Sequence, residues 1–150
     1  MKAPSARNPA SSTGPLAASQ YESLAEFRYL IRRFLAFSEE AAQAAGLTPR
    51  QHQALLAIKG YADGVPTVGA LAERLGVKHH SAVELVGRLV EAGLILRTQD
   101  TEDRRRMLIS LTPAAENLLA SLSVAHIEEL SRLRPTLVQI LVGLKLTNSA

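Results

Sequence analysis

Four histidines are the side chains best suited to moving a proton near neutral pH: His52, His79, His80 and His126. Together with scattered carboxylates they could supply acid and base groups. No nucleophile elbow, glycine-rich phosphate loop or HExxH spacing accompanies them. His79 and His80 are adjacent, and neighbours on a helix point about 100° apart, so they do not converge on one metal ion. His52 and His126 could line an effector or metal site, but without a spacing signature each is read as an ordinary surface or core histidine. The chain has no cysteine, which excludes disulfides, thiolate catalysis, thiol-based redox sensing and cysteine metal sites. The expectation is a protein that is not an enzyme, with no cofactor and no metal.

The other chemistry is that of phosphate contact. The run QDTEDRRR at 99–106 sets Arg104, Arg105 and Arg106, with Arg97 just before, against Asp100, Glu102 and Asp103. A mixed charge run alone is a solvated loop. Its position changes that reading. Leu94 to Thr98 and Met107 to Leu111 flank it as short apolar segments rich in strand formers, which predicts a β-hairpin with a charged tip. Before the hairpin, Leu71, Ala72 and Leu75, then Ala82, Leu85, Val86 and Leu89, recur at helical spacing on either side of Gly76. Glycine suits the residue past a helix end, where φ is positive. Helix, turn, helix and charged hairpin outline a winged helix-turn-helix, whose second helix enters the DNA major groove.

If Ala82, Leu85, Val86 and Leu89 face inward, His80, Ser81, Glu84, Gly87 and Arg88 face outward. Lys78 and Arg88 suit phosphates, and His80 or Ser81 suit base edges at the helix start. Glu84 would be repelled in a groove unless Arg88, four residues on, neutralises it or a cytosine amino group donates to it; the pairing with Arg88 is favoured. The tip would lie over the neighbouring minor groove, where narrow A·T-rich DNA attracts an inserted arginine, and Asp103 is placed to brace one of the three.

The other elements must hold that unit. Residues 1–18 are rich in Ala, Ser and Pro, with no period, and are expected to be a disordered tail in which Lys2 and Arg7 have no specific role. From 19 to 45 the pattern is helical, with Ser19 as cap, Glu22 as its capping-box partner, and Leu24, Phe27, Ile31 and Phe34 along one face. That stripe packs either within the chain or against a second copy. Thr48-Pro49 and Thr112-Pro113 open two further helices. Pro135 is expected to interrupt the last one, leaving a separate apolar helix from Thr136 to Leu146.

The chain has 150 residues, 47% hydrophobic, with few aromatics, which suits one mainly helical domain. A net charge of +3 permits a nucleic-acid partner without demanding one. No apolar run approaches the roughly 18 residues of a membrane span and no signal-peptide core is present, so a cytoplasmic protein without a membrane partner is expected.

Leu71-Ala72-Glu73-Arg74-Leu75-Gly76-Val77, Arg88-Leu89-Val90-Glu91-Ala92-Gly93-Leu94-Ile95, Glu102-Asp103-Arg104-Arg105 and Ser110-Leu111-Thr112-Pro113 together resemble the MarR family of multiple-antibiotic-resistance-type regulators. The resemblance implies a mainly α, winged helix-turn-helix fold with a hairpin wing and a dimerisation region built by the N- and C-terminal helices. In these terms 19–150 is one domain, with 47–112 as the DNA-binding lobe and 19–45 and 113–150 as dimerisation helices. It implies an obligate homodimer, held through Leu24, Phe27, Ile31, Leu137, Ile140, Leu141 and Leu144, on near-palindromic double-stranded DNA, repressing until a small, often phenolic, effector binds. Asp103 and Arg105 match the wing's Asp and Arg, the latter being the minor-groove residue. Three departures stand out: Glu84 in KHHSAVELVGRL, the added Arg106, and the lack of the thiol used by the peroxide-sensing branch. The alternative is a winged helix that binds protein rather than DNA; the basic tip argues against it.

Overall fold

The computed structural model describes residues 15–144. Most of the expected tail, and the last residues of the expected terminal helix, lie outside them. The described elements are α1 (Ala18–Ala44), α2 (Pro49–Lys59), α3 (Val68–Leu75), α4 (His79–Glu91), β1 (Ile95–Gln99), β2 (Met107–Leu111) and α5 (Pro113–Gly143).

The described residues divide into two compact units, 33–132 and a second made of 15–32 with 133–144. The division falls inside α1 and α5, so the inner halves of both long helices belong with the winged helix. Their residues are in its core: Ala42, Ala115, Leu119 and Leu122 are buried in one cluster with Leu55, Leu71, Leu89 and Ile109.

Local chemistry explains where the elements start and stop. Thr48 accepts from the Gln51 amide at 3.1 Å while Gln51 Oε1 accepts from the Thr48 amide at 3.0 Å, a reciprocal cap followed by proline at the first helical position. Thr67 Oγ1 accepts from the Ala70 amide at 3.1 Å and so caps α3. The Thr112 hydroxyl caps α5 through the Ala115 amide at 3.2 Å and donates to the Gly93 carbonyl at 2.7 Å, tying that helix to the turn that ends α4. Gly76 adopts φ +64° between α3 and α4, as its position in the sequence predicts.

The strands pair antiparallel, from Ile95 opposite Leu111 to Gln99 opposite Met107. Ile95 and Ile109 point into the core and are at most 1% exposed. The loop before α3 joins this sheet: the Ile109 amide donates to the Pro66 carbonyl at 2.9 Å, and Thr67 bridges Leu108.

Two expectations fail. Ser19 is inside α1, which begins at Ala18, and the first turn is closed instead by Gln20, whose side-chain oxygen accepts from the Ala17 amide at 3.0 Å. Pro135 does not break the last helix: α5 is continuous over 31 residues with Pro135 inside it. Proline removes one amide donor and crowds the carbonyl four residues back, but Ser131 and Pro135 are both exposed, so water can serve that carbonyl. Continuity keeps Ile140 on a buried face of the outer unit, in which Leu30 is also buried. Elsewhere that unit leaves large apolar side chains exposed, among them Tyr21, Leu24, Ile31, Val138, Leu141 and Val142.

Candidate nucleic-acid interface

The inner face of α4 fits its sequence pattern: Ala82, Leu85, Val86 and Leu89 are all buried. This fixes the rotation of the helix. Lys78, His80, Glu84 and Arg88 are consequently exposed, and Ser81 and Gly87 half-buried.

The start of α4 differs chemically from the other helix starts of this unit. Lys78 occupies the capping position and makes no side-chain bond to the helix, and no acidic residue lies in the first turn. The first amides of a helix need acceptors and carry partial positive charge. With no side-chain cap from Lys78, the end is left to water or to an anion such as a phosphate.

Glu84 and Arg88 do not pair, whereas Lys59 with Glu116, Arg105 with Asp103 and Arg132 with Glu129 do. An exposed i,i+4 pair gains only about 0.3–0.5 kcal/mol while holding two long side chains still, so water competes successfully. Arg88 keeps its charge for another partner.

The hairpin tip is ordered by its own acidic side chains. Asp100 Oδ1 accepts from the Glu102 amide at 3.0 Å, and the Asp100 amide donates to the Arg106 carbonyl at 3.0 Å. Asp103 Oδ1 accepts from the Arg105 amide at 3.1 Å and from Arg105 Nε at 3.3 Å. Asp103 therefore braces Arg105, a choice the sequence pattern left open among three arginines. The Arg105 side chain is 93% exposed. It is held at its amide and at Nε, which leaves the two terminal guanidinium nitrogens facing solvent.

Between α3, α4 and the hairpin lies a cleft of about 310 Å³ lined by His79, Val83, Arg97, Arg105, Arg106 and Met107, among others. Three arginines sharing one concave surface without a facing carboxylate in its lining favour an anion. Arg97 and His79 thus join the basic face. The sequence places Arg97 beside the tip without a contact, and gives His79 no part in the basic face. The pairing of β1 with β2 is the signal that brings Arg97 beside the 105–107 segment. Arg104 is exposed and is not among the residues lining this cleft.

His52 and His126 come together elsewhere, in the seam between α1, α2 and α5. Their ring centroids are 4.8 Å apart. Burial, and secondly the charge of His126, hold His52 below the ordinary histidine pKa. Among the described residues no three His, Asp or Glu side chains are grouped to hold a metal ion, and no helix is long and apolar enough to cross a membrane.

A three-helix core, an exposed second helix and a hairpin with an arginine-bearing tip define a winged helix-turn-helix protein. Residues 45–106 match the family model described as the MarR family. The chain is 34% identical over 106 residues to the uncharacterised HTH-type transcriptional regulator YcgE of Bacillus subtilis, an alignment covering 71% of this chain and 62% of that one. It is 37% identical over 73 residues to the HTH-type transcriptional repressor MdtR of the same organism, covering 49% and 46%. The chain therefore spans less than two thirds of the length of either relative. The crystal structure of the B. subtilis YusO protein superposes with a TM-score of 0.65 at 25% identity, covering 90% of this chain and all of that one. Over its winged helix the chain is similar to the MarR family.

Proposed function

We propose that this protein is a sequence-specific, double-stranded-DNA-binding transcriptional regulator, acting as a cytoplasmic homodimer that represses until a small-molecule effector binds. The observation that carries the reading is the pairing of an exposed α4, its start unserved by any side chain, with a wing whose Arg105 is aimed by Asp103. Lys78, Arg88, Arg104 and Arg106 are assigned to phosphates, His80 and Ser81 to base edges, and Arg105 to the minor groove. With Arg88 unpaired, Glu84 is left to accept from a cytosine amino group, the one base-edge role open to a carboxylate. The relatives named above, both HTH-type regulators and one a repressor, support regulation and give no support to an enzymatic reading.

The homodimer rests on the exposed apolar residues of the long helices. Leu24, Ile31 and Leu141 are 45%, 42% and 53% exposed, a surface a single chain leaves in water. Phe27, Leu137 and Leu144 are half-buried and stand beside that surface, whereas Ile140 is already buried within one chain and serves the fold first.

Selection of bound fragments from random DNA tests the reading. The expected outcome is a near-palindromic site with half-sites about one helical turn apart and an affinity falling steeply with salt. Absence of any selected duplex at moderate ionic strength overturns it, and a binding partner that is a protein would favour the interaction-module alternative.

A further inference from the structure

The histidine pair is a buried titratable cluster that the basic face does not use. His52 on α2 is 4% exposed. Phe34 and Phe37 of α1 meet the His126 ring edge-on, with centroids 5.9 and 5.4 Å away. His126 is fixed at both nitrogens. The Leu122 carbonyl, 2.6 Å from Nδ1, can only accept, so Nδ1 carries the proton; Nε2, 2.8 Å from Ser38 Oγ, then accepts from that hydroxyl. His126 is thereby satisfied at both nitrogens and presents its ring to His52.

Among the described residues no ion pair joins an acidic side chain to His52. On α1 the nearby charged residues are Arg33, Glu39 and Glu40, and both glutamates are exposed. On α5, Glu128 is exposed and Glu129 is bonded to Arg132 at 2.9 Å. Glu73 and Arg74 on α3 and Arg50 on α2 are exposed. The one charged group that moves His52 is His126, and it opposes a second charge.

We propose that His52 and His126 form an acid-sensitive latch: while His52 is neutral the pair closes the seam between α1, α2 and α5, and a proton on His52 opens it and weakens DNA binding. The second half rests on the DNA-binding reading. The route is short. α2 leads into the loop whose Pro66 carbonyl accepts from the Ile109 amide of the wing, so displacing α2 disturbs the support of the hairpin. A proton shifts the population toward whichever arrangement holds it better.

The sign follows from linkage. His52 has a folded pKa below its ordinary value of 6.5. Between those two values the unfolded chain binds more protons than the folded one, so stability falls as pH drops below 6.5 and levels off below the folded pKa. Above 6.5 the group is neutral in both states and contributes nothing.

The experiment compares the full chain with His52→Phe, which is neutral throughout, and with His52→Gln should the ring replacement fail to fold. A duplex recovered by selection is titrated by fluorescence anisotropy at pH 7.5 and 5.5. The readout is the ratio of wild-type to variant affinity, in which pH effects common to both proteins cancel. We expect that ratio to fall roughly three- to tenfold in acid, one pKa unit being a factor of ten. A ratio that stays flat overturns the coupling to DNA. If neither protein binds any duplex, the DNA reading fails and urea unfolding decides the latch: a steeper loss of wild-type than variant stability below pH 6.5 supports it, and parallel pH profiles overturn it.

Discussion

Replacing Arg105 by alanine separates the work of the wing from its folding. The Arg105 side chain is 93% exposed and its one ion pair, to Asp103 at 3.3 Å, lies in water, so the folded state loses little. The backbone bond from the Arg105 amide to Asp103 Oδ1 does not need the side chain and keeps the tip in shape. A surface change of this kind alters stability by no more than about 0.5 kcal/mol. On DNA the accounting differs. A lost arginine contact in a groove costs about 1–3 kcal/mol, roughly a 5- to 150-fold weakening, and removes one counterion-releasing charge, so the slope of log affinity against log salt becomes shallower by about 0.9. Anisotropy of a selected duplex between about 50 and 200 mM salt reads both quantities. Asp103→Asn supplies the comparison, because its Oδ1 can still accept from the Arg105 amide while the ion pair that aims the side chain is lost: affinity drops by less than in Arg105→Ala. Unchanged affinity of Arg105→Ala at matched salt would refute the wing contact. So would a weakened affinity accompanied by an equal fall in thermal stability, since the tip would then be a structural element.

Three further outcomes test the scaffold. Gly76→Ala places a Cβ at φ +64°, where nothing lies within 4 Å to clash, so the cost is backbone strain of about 1–2 kcal/mol, measurable as a lower urea midpoint without loss of cooperativity. Leu89→Ala empties a site that is 0% exposed and is expected to cost about 2–5 kcal/mol in equilibrium unfolding. Leu141→Glu puts a charge on an apolar face exposed in one chain; sedimentation should shift from dimer toward monomer, and an unchanged dimer would place the interface elsewhere.

The parts of this fold that could be read in advance are those fixed by neighbours in the sequence. Thr48 with Pro49, Thr67, Thr112 with Pro113, and Gly76 mark helix ends through bonds that reach at most a few residues, and the helices stop where they say. The rotation of α4 was equally legible, because four apolar residues at helical spacing leave one choice of buried face. Pro135 was misread because proline was treated as a stop, although its cost depends on whether the orphaned carbonyl meets solvent, which only the packed helix decides. The Glu84–Arg88 pair was misread for the opposite reason: the spacing permits it, but hydration outweighs it.

What spacing could not reveal is anything assembled from distant segments. Arg97 reaches the cleft with Arg105 and Arg106 only because the strand register folds the hairpin back on itself. His52 and His126 meet only because α2 and α5 share one core with the inner half of α1. These two assemblies differ in what surrounds the charge. The arginines stand in water beside an open cleft, where charge costs little and an anion can approach. The histidines stand in an apolar seam, where a charge is opposed and no anion is supplied. A proton on His52 is therefore opposed by its surroundings, and it acts on the support of the basic face rather than on the face itself.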